Sequence, residues 1–108
     1  MRVLIHPRSI TADQELRTRV EEALDTALEP VRADLEWVDL YLTDVNGPRH
    51  GPDKRSRLVA HHRSGPVVVS RTGPDPVAAV TAAAVRCCRL VRSRQTQRRH
   101  RRRRAVAV

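Results

Sequence analysis

Aromatic residues are nearly missing from this chain of 108 residues: it has no phenylalanine, one tryptophan and one tyrosine. A core built without them must be filled by Val, Leu, Ile and Ala, and nucleic-acid contact must rest more on charge and shape than on base stacking. Cysteine is scarce too, with two residues side by side, Cys87-Cys88. Neighbouring cysteines cannot supply a zinc cage alone, and a disulfide between them is strained, so they read as small hydrophobes on a buried side. No stretch is long or apolar enough for a transmembrane helix, and the N-terminus lacks a signal peptide's apolar run; the expectation is a cytoplasmic protein. Gly-rich phosphate cradles and Gly-x-Ser-x-Gly elbows are also missing.

The second half almost lacks negative charge. Residues 1–53 carry 6 Lys/Arg against 11 Asp/Glu, residues 54–108 carry 15 against 1, and the formal net charge is +9. Charge segregated on this scale implies a directed electrostatic face, and the commonest polyanions in a cell are nucleic acids. A solvated tail and an acidic membrane surface are the blander readings; of these partners we expect nucleic acid and no membrane. The length suits one domain with a modest core.

The stretch from Asp75 to Arg104 organises the rest. Asp75-Pro76 suits a helix N-cap followed by proline at the first helical position. Val77, Val80, Ala84, Cys87, Cys88 and Val91 then recur in steps of three and four, one face of an amphipathic helix. Arg86 points away from that face and Arg89 and Arg92 flank it, before the helix runs into Arg94, Arg98, Arg99 and the block Arg101 to Arg104. Residues 98–108 are expected to fray as a disordered Arg-rich tail, because like charges repel and little apolar holds them.

Upstream, Arg2 to His6 reads as a strand ended by Pro7. Thr11-x-x-Gln14 fits a capping box, and Leu16, Val20, Ala23, Leu24, Ala27, Leu28 and Val31 place a helix from about Ala12 to about Glu29, stopped or kinked by Pro30. Its exposed side is mostly acidic (Glu15, Glu21, Glu22, Asp25), with Arg17 and Arg19 near the start. Leu35 to Thr43 alternates, with Val38, Leu40 and Leu42 on one side and Trp37, Asp39, Tyr41 and Thr43 on the other. Turn chemistry fills Asp44 to Asp53. A third strand, Lys54 to His62, puts Ser56, Leu58 and Ala60 inward and Arg55, Arg57, Val59 and His61 outward, and Ser64-Gly65-Pro66 reverses the chain into a fourth strand, Val67 to Arg71. The order is β-α-β-β-β-α. Three strands joined by turns make an antiparallel meander, and the first strand joins it through a helical crossover. Both apolar helix stripes then need the same sheet face, which predicts an α+β two-layer sandwich: a four-stranded sheet with two helices packed on one face.

That order, the turn Asp44-Val45-Asn46-Gly47-Pro48-Arg49, the following Gly51-x-Asp53-Lys54-Arg55-x-Arg57 and the basic final helix resemble the ribosome hibernation-promoting factor family. It is also called the ribosome-associated inhibitor A or sigma-54 modulation family. The match covers roughly residues 1–97 and resembles the family's short form. The resemblance implies a ribosome-binding domain over 1–97, a partner in the small ribosomal subunit and its ribosomal RNA, and occlusion of the mRNA and tRNA decoding channel in stationary phase or stress. Long members add a C-terminal domain that pairs ribosomes. The short form implies no such pairing and a monomer off the ribosome.

The RNA-binding residues expected on this reading are Arg86, Arg89 and Arg92 on the last helix, Arg17 and Arg19 at the start of the first, and Arg8 in the loop before it. Lys54, Arg55 and Arg57 add charge to the open sheet face or its edge. Arginine's planar fork can bond two phosphate oxygens at once, and a rigid basic surface can recognise folded RNA by shape. Each arginine alone reads sooner as a solvated surface residue; as a set, aligned with the resembling family, contact is favoured. His61-His62 invites a metal or general-base reading, but neighbours on a strand point to opposite faces and neither has an evident cysteine or carboxylate partner. Asp39 and Asp44 are weak evidence for acid-base catalysis. Trp37 and Tyr41 read either as an amphipathic cover for the open sheet or as an RNA-facing stacking surface. No enzyme activity, cofactor, metal or small-molecule substrate is expected. The competing readings are a general RNA- or DNA-binding basic module and a small metal-dependent enzyme.

Overall fold

The computed structural model describes residues 1–44 and 53–107, with side chains as far as residue 97. The elements are β1 (Arg2–Arg8), α1 (Gln14–Leu28), a 3-10 turn (Glu29–Asp34), β2 (Leu35–Asp44), β3 (Lys54–His62), β4 (Gly65–Gly73) and α2 (Pro76–Ala107). They form one four-stranded sheet in the order β1-β2-β3-β4, with β1 parallel to β2 and the other pairs antiparallel. This is the α+β order and layering the sequence predicts.

Strand β1 runs through Pro7 to Arg8 instead of ending before the proline. It is an edge strand bonded on one side only, where a missing N–H is tolerated. Arg8 therefore belongs to β1, not to a loop. The chain leaves β1 through Ser9, at φ 53, and the Ser9 hydroxyl accepts the Asp44 N–H at 3.3 Å. The cap of α1 is Asp13 and not Thr11. Its Oδ1 accepts the Leu16 N–H at 2.8 Å, so the helix starts two residues later than a Thr11 box would place it. Val20, Leu24 and Leu28 are fully buried along α1. Pro30 then enters the 3-10 turn, whose Val31 is also buried.

Leu35 and Val38 both reach the core although three apart, because the β2–β3 register shifts between Leu35 and Trp37. An extra residue in one strand moves the pattern by one position. Beyond it the alternation is regular, with Val38, Leu40 and Leu42 inward across from Ala60, Leu58 and Ser56. Val67 and Val69 complete the inner face from β4.

Helix α2 is capped as its sequence predicts: the Ala78 N–H reaches Asp75 Oδ1 at 2.8 Å. It buries Ala79, Val80, Ala83, Ala84, Cys87, Cys88 and Val91. These are small side chains, so the helix sits close to the sheet. A Cβ on Gly73 would lie 2.9 Å from the backbone nitrogen of Ala79. Both cysteines are free and buried, and burial pushes the Cys87 thiol up to about 11; it packs as a small hydrophobe. Two polar ties hold the far end. Gln95 donates to Asp34 at 2.6 Å, and Arg94 donates to the carbonyls of Gly65 (2.9 Å) and Pro66 (3.2 Å) at the β3–β4 turn. The α2 backbone continues without a break past residue 97 to Ala107; the side chains of the arginine block lie outside the described residues.

Two substitutions test this packing. Gly73→Ala should destabilise by about 1–3 kcal/mol in urea unfolding, because the new methyl meets backbone and not a movable side chain. Ser56 Oγ is buried without a hydrogen-bond partner among the described residues, so Ser56→Ala should leave the urea midpoint unchanged or raise it. A clear fall would show that the hydroxyl is satisfied after all.

Candidate nucleic-acid interface

The nine basic residues expected to bind RNA do not form one surface. Two layers have two outsides, and strand parity and helix position sort the residues between them. Arg86, Arg89 and Arg92 are exposed on the solvent side of α2. Arg55 and Arg57 are exposed on the sheet face that carries no helix, and Arg8 shares that face by register with Thr43 and Arg55.

On the helix side, Arg86 and Arg89 border an open groove of about 610 Å³ between α2 and β4, the other edge strand. Ala78, Ala82 and Val85 contribute its apolar lining and Arg71 faces the two helix arginines from β4. Val85 is 41% exposed. Arg71 was not among the expected contacts; its position on an edge strand next to the helix is a tertiary fact with no local signal.

Three expected contacts have other work or poor surroundings. Arg17 is half-buried and its Nε donates to the Ala12 carbonyl at 3.2 Å, which ties it to the start of α1. Arg19 is exposed but stands at helical spacing from Glu15 and Glu22, on the acidic side of α1. Lys54 is paired with Asp44 at 2.6 Å and has the inward parity of Ser56 and Leu58, so it does not join Arg55 and Arg57. The turn residues 45–52, which carry most of the family resemblance, lie outside the described residues.

The open sheet face holds a network that the sequence pattern does not reveal. Asp39, with its side chain 16% exposed, accepts at Oδ1 from His6 Nε2 (2.9 Å) and at Oδ2 from His61 Nε2 (2.8 Å) and Trp37 Nε1 (3.1 Å). An ionised carboxylate only accepts, so each histidine presents its Nε2–H. Trp37 stacks on His61 at 3.9 Å between ring centroids, and Tyr41 stacks on His6 at 4.6 Å. The Arg8 guanidinium lies 5.8 Å from the Tyr41 centroid. The His6 bond first, then those from His61 and Trp37, hold the Asp39 carboxyl below its ordinary 3.8, against burial, which pushes it up. His61 thus has a carboxylate partner after all, on the neighbouring strand. His62 is buried on the opposite face, where its Nδ1 accepts the Ser64 N–H at 3.1 Å. Among the described residues no group of three or more His, Cys, Asp or Glu side chains is arranged to hold a metal ion, and no helix is long and apolar enough to cross a membrane.

No protein-family model matches this sequence, and no curated protein matches it. Solved structures do. A ribosomal subunit interface protein from Coxiella burnetii superposes with a TM-score of 0.75 at 10% identity, covering 89% of this chain and 99% of that one. The Protein Y N-terminal domain of Thermus thermophilus superposes with a TM-score of 0.62 at 23% identity, covering 83% of this chain and 99% of that one. At these identities the likeness is one of fold, and the fold is the one implied by the family resemblance.

Asp39→Asn tests the network. A folded-state pKa held below 3.8 contributes stability that is complete above that pH and is lost as pH falls through the lowered value. The variant should lower Tm at pH 7 by about 4–8 °C, the shift expected for about 1 kcal/mol in a domain of this size. The gap should narrow as the pH falls below about 4. A gap that stayed constant into acid would mean that the carboxylate's charge does not contribute.

Proposed function

We propose that this protein is a ribosome-associated translation inhibitor of the hibernation-promoting factor family, which binds the small ribosomal subunit and occludes the mRNA–tRNA decoding channel. The observation that carries the reading is the near-complete fold likeness to a ribosomal subunit interface protein. The arginine-rich surfaces on both outsides of the sandwich support it. A factor lodged in a channel meets walls on more than one side, so basic residues on opposite faces suit it better than a single patch would.

The mechanism needs binding and no chemistry. On the helix side Arg86, Arg89 and Arg92, joined by Arg71, would grip phosphates, while the apolar strip of Ala78, Ala82 and Val85 rests against sugar edges. Folded RNA displays phosphates and 2′-hydroxyls, which a rigid basic relief recognises by shape. Arg8, Arg55 and Arg57 would meet a second wall. Arg17, Arg19 and Lys54, which the structure leaves tied, flanked by acid or paired, become secondary. The domain proper is residues 1–97, and residues 98–108 add sequence-blind affinity, each neutralised phosphate contributing about one unit of salt slope. The protein acts in the cytoplasm, is a monomer off the ribosome, and is not an enzyme.

The rival reading is a basic module that binds any RNA or DNA. Co-sedimentation with ribosomes at physiological salt, with free RNA in excess, separates the two. Saturable, near one-to-one binding to the small subunit that survives the competitor is expected; binding stripped off by free RNA would sink the ribosome-specific reading. Replacing Arg86, Arg89 and Arg92 together by Glu should abolish subunit binding with Tm little changed, since all three are exposed. A triple variant that still bound like wild type would remove α2 from the interface.

A further inference from the structure

The open sheet face carries a feature that occlusion by a basic relief does not use. Cross-strand register places Arg2, Trp37, His61 and Pro66 in one row, Leu4, Asp39, Val59 and Val68 in the next, then His6, Tyr41, Arg57 and Ser70, and last Arg8, Thr43, Arg55 and Thr72. Four arginines therefore share this face with one carboxylate, Asp39. That carboxylate is paired with none of them: its oxygens accept from His6, His61 and Trp37. Arg2, Arg8, Arg55 and Arg57 form no ion pair with any described residue.

The same bonds hold the rings. Trp37 and Tyr41 are four residues apart on one strand, so they stand about 13 Å apart along it. Each is backed by a histidine stacked within 18° of parallel, and both histidines are anchored to Asp39. Trp37 and Tyr41 are nonetheless part-exposed, and the apolar neighbour Val68 is 48% exposed. A mere cover for the sheet would not need ring planes fixed by a shared carboxylate, nor a border of unpaired arginines. Aromatic platforms held rigid between cations are what successive bases and phosphates of an unpaired strand require.

We propose that this face is a second binding surface, taking an unpaired stretch of RNA by stacking bases at Trp37 and Tyr41 while Arg8, Arg55 and Arg57 hold its phosphates. The proposal rests on the ribosomal reading only in taking the strand to be RNA. It assigns the two faces different targets: folded RNA recognised by shape on α2, and single strand recognised by stacking on the sheet. Asp39 is a positioning residue here, since it aligns the rings through the two histidines and ties up no arginine.

Trp37 is the sole tryptophan of the chain, so its fluorescence reports on this face alone. The intact protein is titrated with a twelve-nucleotide oligouridylate, and separately with an RNA duplex of equal length. Saturable quenching by the single strand, and much weaker quenching by the duplex, is expected. Tyr41→Ala should weaken single-strand binding roughly 5- to 150-fold, the range for one lost stacking contact. Arg55→Glu with Arg57→Glu should weaken it further and flatten its salt dependence. Equal quenching by duplex and single strand overturns the proposal without recourse to any variant; so does unchanged affinity in folded Tyr41→Ala and Arg55→Glu/Arg57→Glu proteins. The two readings fail separately. Intact co-sedimentation with ribosomes but no quenching defeats this inference alone, and quenching without stable ribosome binding defeats the ribosomal one alone.

Discussion

The close seat of α2 on the sheet is the constraint from which the rest follows. Most of the side chains α2 turns inward are small, so along this seam helix and sheet approach closely. Ala79, Ala83, Ala84, Cys87 and Cys88 supply the helix side of that contact, and Gly73 lets the first turn of α2 pass against the end of β4. Once the helix lies there, its polar ends find partners that lock the register: Asp75 at the start, Arg94 and Gln95 further along. Arg94 shows that an arginine within a basic run can be a structural clamp.

The same seat divides the basic residues. Helices cover one side of the sheet, so whatever projects from the exposed side of α2 and whatever projects from the bare face of the strands look in opposite directions. Charge that seems continuous along the sequence becomes two surfaces with different chemistry. The helix side offers an apolar floor with arginines at its border and no aromatic platform. The strand side offers rings, hydroxyls and guanidinium groups around a carboxylate already saturated by its own neighbours.

That saturation matters electrostatically. A free carboxylate amid four arginines would pair with them and draw in their side chains. Asp39 is instead satisfied by ring N–H groups on β1, β2 and β3, so it cross-links three strands on their uncovered face. The bonds also anchor the two histidines on which Tyr41 and Trp37 stack.

Much of this fold is legible in the amino-acid pattern. Period-two alternation in β2 and β3, period 3.6 in both helices, the Asp75-Pro76 cap and the crossover logic depend on neighbours in sequence, and local physics settles them. The Asp13 cap, the passage of β1 through Pro7 and the register shift after Leu35 are not legible there, because each depends on what the strand or helix packs against. The surface residues are the least legible. Nothing local says that Arg17 folds back on Ala12, that Lys54 meets Asp44, or that His6 and His61 converge on Asp39 from 33 and 22 positions away. Short-range periodicity and composition are enough for the elements, their order and the excess of positive charge. Which charges are free, and which face each one serves, depends on strand register and layer packing, and these exist only once the chain has closed on itself.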